Sequence, residues 1–165
     1  MEELAVGQIV VHPRYGAGTV VGVREGREDE DHDRYYVIEI PSRALQVHLP
    51  VEVAKDADLR GLATLGKLTY ALDILASAPA ELPKDYRERH TALTEGMQDG
   101  APASLARAIR DLSALQSKKS LSEIESALFT NAKRQLGGEL ALVVRIGLDE
   151  AMRQIDKALH QSRAA

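Results

Sequence analysis

The residues able to do chemistry are scattered and never form a recognisable constellation. Five histidines, His12, His32, His48, His90 and His160, are present. None belongs to an HExxH motif or to another pair with metal-ligand spacing. Cysteine is absent, which excludes disulfides, thiolate zinc sites and cysteine nucleophiles and fits a reducing compartment. No glycine-rich loop leads into Lys-Ser or Lys-Thr, so nothing cradles a nucleotide phosphate. Gly16-Ala17-Gly18 is a fragment of a dinucleotide fingerprint, but a strand rather than a helix follows it, and it reads as a turn. The acidic run Glu28-Asp29-Glu30-Asp31-His32-Asp33 lacks the glycine and the closing glutamate of a calcium-binding hand. It reads as a solvated hairpin tip. These absences point to a binding protein rather than an enzyme, with no cofactor and no metal.

Charge narrows the partners. The formal net charge is −4. The first 60 residues carry 7 Lys/Arg against 12 Asp/Glu, and the remainder carries 14 against 13. A coat protein that neutralises phosphates along DNA would be strongly basic. Any DNA contact is therefore expected to be local and to fall in the C-terminal half. The N-terminal residues lack the basic and apolar regions of a signal peptide, and no run approaches the ~20 apolar residues of a membrane span. A cytoplasmic protein with no membrane association is expected.

Two kinds of element must position these groups. Up to Pro50 the chain reads as β. Gly7 to Val11, Thr19 to Val23, Arg34 to Ile40 and Leu45 to Leu49 are short runs rich in β-branched residues or alternating with period two. Pro13, Gly16 and Gly18 punctuate a turn, and Pro41-Ser42-Arg43 makes another. Several short strands in so little chain predict a small, strongly bent SH3-like or Tudor-like barrel over residues 1–60.

From Gly61 the period changes. Leu62, Leu65, Leu68, Leu72 and Leu75 follow a spacing of three and four, the mark of one helix face. Pro79 breaks that helix. Further helices are expected over residues 83–95, 103–116 and from Ser120 onward, with Ser120 and Glu123 matching a capping box. Gly137-Gly138 inside the long helix predicts close packing or a kink, and a last amphipathic helix runs from Leu148 to His160. The fold class is α+β, with a barrel followed by an all-helical domain of about five helices over 61–165.

The order of these segments carries a resemblance. Val6-Gly7-Gln8-Ile9-Val10-Val11-His12-Pro13-Arg14-Tyr15-Gly16-Ala17-Gly18-Thr19-Val20 resembles the opening of the CarD (CarD/CdnL) family, V-G-x-x-V-V-Y-P-x-x-G-x-G. Tyr35 to Ile40, Leu45 to Pro50, Tyr86-Arg87-Glu88-Arg89 and Gly138 to Leu142 look similar too. That family consists of bacterial transcription regulators whose N-terminal module is shared with the transcription–repair coupling factor. The resemblance implies that the barrel docks on the RNA polymerase β-subunit through Arg27, Leu45, Gln46, Val47 and His48. It implies that the helical domain meets promoter DNA at the upstream edge of the bubble and stabilises the open complex, with the protein acting as a monomer.

The chain departs from the family at the DNA side. A tryptophan wedge is usual there, yet no Trp is present. Matching Tyr86-Arg87 to the family block puts Leu82 at the wedge position, with Lys84, Arg87 and Arg89 as cations for DNA. His48 stands where an arginine often meets polymerase. The alternative expectation is a polymerase-docking adaptor or competitor that never contacts DNA.

Overall fold

The β-branched runs of the N-terminal part pair into one antiparallel sheet of order β1-β2-β3-β4: β1 is Ile9–His12, β2 Gly16–Glu25, β3 Arg34–Ile40 and β4 Leu45–Pro50. The computed structural model describes residues 3–164, with side chains as far as Gln161. The turn between β1 and β2 needs Gly16, whose φ of +95° favours a residue without Cβ. Its corner is pinned by His12, whose Nδ1 accepts the backbone N–H of Arg14 at 3.0 Å. Gly18 allows β2 and β3 to approach, since a Cβ there would lie 2.5 Å from the Glu39 carbonyl oxygen. The register slips between Val20 and Gly22, a bulge that bends the strand.

The bent sheet encloses Val10, Val20, Tyr36, Ile38, Ile40 and Leu49. Leu4, Ala54 of the short helix α1 (Val51–Ala54) and Leu59 complete this core. Burying each large apolar side chain of this kind stabilises by about 1.5–3 kcal/mol. The two sheet margins differ. Outside β1, Val11 exchanges backbone hydrogen bonds with Arg60 at 2.7 and 3.1 Å. Outside β4 no strand pairs, among the described residues.

The chain divides into two compact units, Met1–Leu62 and Ala63–Ala165. The second contains five helices: α2 Leu65–Ala76, α3 Tyr86–Gly96, α4 Pro102–Lys118, α5 Glu123–Val144 and α6 Leu148–Ala164. The architecture is thus a four-stranded Tudor-like sheet followed by a helical domain. No described helix is long and apolar enough to cross a membrane.

Helices α2, α4, α5 and α6 share one core around Leu68, Leu75, Ile109, Leu112, Leu136 and Ile155. The buried face of α2 is Leu68, Ala71, Ile74 and Leu75; Leu65, expected on that face, is 60% exposed at the first turn. Helix α5 runs unbroken through Gly137-Gly138. A Cβ on Gly137 would meet Met152 Sδ at 2.7 Å, so this glycine lets α6 pack close.

Helix α3 differs from the rest. Its only buried residues are Arg89 and Leu93, so little apolar area holds it in place. It also starts later than its sequence predicts. Asp85 is the N-cap, accepting the Glu88 N–H at 3.0 Å, and Pro83 and Lys84 lie before the helix rather than in its first turn.

Candidate functional site

The sheet presents one polar cluster, built on β2, β4 and the loop between β2 and β3. Arg24 lies at its centre. Its two terminal nitrogens donate to the two carboxylate oxygens of Glu30, both at 2.8 Å, the bidentate geometry that suits guanidinium best. Its Nε donates to His48 Nδ1 at 2.7 Å, and its guanidinium lies 4.3 Å from the Tyr35 ring centroid. His48 Nε2 is 3.0 Å from Gln46 Oε1. A His48 that accepts at Nδ1 carries its proton on Nε2 and donates it to Gln46.

Glu30 organises the loop as well, accepting the Arg27 N–H at 2.9 Å. Hydrogen bonds from Arg24, then from the Arg27 backbone, hold the Glu30 carboxyl down to about 2. The acidic run forms the solvated hairpin tip expected between β2 and β3, and Glu30 ties it to Arg24 and to the Arg27 backbone.

Four of the five residues expected to face polymerase lie together on β4. Gln46 and His48 are exposed on one side of the strand, with Val47 and Leu49 turned toward the core and Leu45 38% exposed at the start. Arg27 is exposed in the loop held by Glu30.

The helical unit contains a groove of about 380 Å³ beside the segment between α2 and α3. Leu82 and Lys84 line it, and so do Lys118 and Lys119 from the end of α4. Leu82 is half-buried and packs against the helical core. Lys84 is exposed, as is Arg87 in the first turn of α3. The two are not one helical turn apart, because Lys84 precedes the helix.

Arg89 contradicts its expected role as a DNA-facing cation. It is 3% exposed and pairs through Nε with Glu125, itself 2% exposed. Its Nη1 donates to the carbonyls of Pro83 and Lys84, each at 3.1 Å. A guanidinium committed to three acceptors inside the protein is not available to a phosphate. Burial raises the Glu125 carboxyl, but hydrogen bonds from Arg89 and Ser122 outweigh it and leave the group below its ordinary value.

Lys118 and Lys119 were not identifiable as part of this site from sequence. They stand more than thirty positions from Leu82, and a lysine in the last turn of a helix also suits the helix dipole. Only the packing of α4 beside the 77–85 segment brings them to the groove.

Comparison with known proteins matches these two units separately. Residues 4–62 match the CarD-like/TRCF RID domain, and residues 70–156 match the CarD C-terminal domain. The chain belongs to the CarD family. A Bacillus subtilis (strain 168) protein named "Putative transcription factor YdeB" is 23% identical over 138 residues, spanning 84% of this chain and 90% of the relative. The chain is a transcription regulator, and its family points to a non-enzymatic one.

Proposed function

We propose that this regulator docks on the β-subunit of bacterial RNA polymerase through the β4 edge and lengthens the life of the promoter open complex. The observation that carries the reading is the unpaired margin of β4 in a domain matched to the CarD-like/TRCF RID model. An open strand edge is a template for β-addition, in which main-chain hydrogen bonds give affinity and alternate side chains give specificity. Gln46 and His48 are the outward side chains of that strand, and Arg24 and Glu30 fix their geometry.

In this reading residues 1–60 hold polymerase and residues 61–165 meet DNA at the upstream edge of the bubble. Leu82 acts as an apolar wedge against an unstacked base step. Lys84, Arg87, Lys118 and Lys119 hold phosphates. No nucleotide or metal is consumed, because tighter binding to the open than to the closed complex is enough to shift the population. Each tenfold gain in lifetime needs only about 1.4 kcal/mol of such preference. The protein acts as a monomer in the cytoplasm.

One observation favours a second reading, a polymerase-bound adaptor or competitor that leaves DNA alone. Leu82 spends part of its surface on its own helical core, and a leucine offers less stacking area than an indole. Open-complex lifetime separates the readings, and polymerase binding tests the dock that both share. With purified polymerase, His48→Glu weakens docking about tenfold or more, whereas the Lys84→Glu/Arg87→Glu pair leaves docking intact and shortens open-complex lifetime. Intact docking by His48→Glu contradicts the β4 assignment. An unaltered lifetime in the charge-reversed pair selects the adaptor.

A further inference from the structure

The segment between α2 and α3 has no regular secondary structure, yet both its ends are clipped to helices. At the α2 side, Asp111 Oδ1 accepts the Ala80 N–H at 2.9 Å, and Arg110 Nη1 donates to Ser77 Oγ at 2.9 Å. Arg110 Nε and Asp111 Oδ1 are also paired at 2.9 Å, both largely buried on α4. At the α3 side, Arg89 donates to the Pro83 and Lys84 carbonyls while bound to Glu125 at the start of α5. Between the two clips lie only Glu81 and Leu82. Pro79 and Pro83 further restrict the backbone on either side.

We infer that Asp111 and Arg89 are positioning residues that hold Leu82 rigidly at the groove before any partner arrives. The inference deepens the DNA-contacting reading of Leu82 and rests on it for its consequence. An apolar side chain on a loose segment would lose its freedom on wedging into DNA; one already fixed avoids that cost. The arrangement also accounts for a buried arginine on the least apolar helix. Arg89 ties down the end of the segment and the start of α3 in a single contact.

The absence of tryptophan makes the test direct. Leu82→Trp in the full-length chain gives a single indole reporter at the position in question. Asp111→Ala removes the acceptor for Ala80, Asp111→Asn keeps one, and Arg89→Lys keeps the charge facing Glu125 but loses the fork to the two carbonyls. Time-resolved anisotropy and acrylamide quenching of the introduced indole are read alongside far-UV circular dichroism.

The expected result is faster local motion and a rise in quenching on the order of twofold for Asp111→Ala and Arg89→Lys, with helicity unchanged and Asp111→Asn close to the parent. If Arg89→Lys loses helicity, the two Asp111 variants decide. Unaltered indole motion in Asp111→Ala overturns the inference. The same substitutions made with Leu82 in place are then assayed for open-complex lifetime. A loosened indole with unshortened lifetimes leaves the clips standing and removes the DNA-contacting role of Leu82.

Discussion

Arg24 and Glu30 show how an exposed pair can define a surface. Neither residue is deeply buried, and an isolated surface ion pair contributes little stability. Their worth lies in orientation, since Arg24 also fixes the His48 ring on β4. The Glu30 carboxyl, held down to about 2, stays ionised well below the ordinary carboxylate range. Because the Glu30 carboxyl is more acidic folded than unfolded, its pairing favours the folded state at neutral pH. The contribution is complete above the unfolded value and disappears as pH falls through about 2. A carboxyl-carbon NMR titration of the folded protein is expected to show Glu30 as one of the last carboxylates to protonate. A midpoint at the ordinary glutamate value would mean that the Arg24 fork is not held in solution. Arg89 gives the opposite lesson about single residues. Its charge is plain in the sequence, but its burial is not, because burial depends on Glu125, 36 positions away, arriving beside it.

At the scale of elements, the change from period two to period three-to-four near Gly61 makes the sheet and the helices legible in the sequence. Boundaries are less legible where two local solutions compete. Ser120…Glu123 and Ser122…Glu125 have the same capping-box spacing. The structure uses the second: Ser122 accepts the Glu125 N–H at 3.1 Å, and Glu125 accepts the Ser122 N–H at 3.0 Å. Its advantage is tertiary, since Glu125 is also the partner of Arg89. Ser122→Ala is accordingly expected to destabilise the helical unit by about 0.5–2 kcal/mol, and Ser120→Ala to stay within about 0.5 kcal/mol of wild type. Urea unfolding followed by circular dichroism compares them, and equal losses would refute the observed register. The start of α3 is hidden for a related reason. Pro83 suits a first helical turn, but Asp85 supplies the cap, and Arg89 takes the Pro83 and Lys84 carbonyls out of helical use.

At the scale of the whole molecule, the charge distribution suits the proposed order of events, recruitment to polymerase before DNA contact. The first 60 residues carry an excess of five negative charges, and the rest is nearly neutral. Phosphate neutralisation scales with the number of cations engaged, so in the proposed function Lys84, Lys118 and Lys119 at the groove, with Arg87 in the first turn of α3, would give only weak, salt-sensitive binding alone. The proposed docking through β4 would convert that contact into an intramolecular one with a high effective concentration. The order and type of motifs make the family and its two-unit architecture readable from sequence. The composition of the groove, with Lys118 and Lys119 along its lining and the Arg89 guanidinium committed to Glu125, Pro83 and Lys84, requires the packing of α4 and α5. The most direct test is the dissociation of preformed open complexes, followed in real time with purified polymerase and saturating wild-type protein or Leu82→Ala. Wild type is expected to lengthen the lifetime, and Leu82→Ala to lose most of the gain while still binding polymerase. Equal lifetimes with and without the wild-type protein, at concentrations where it is bound to polymerase, would contradict the proposed function.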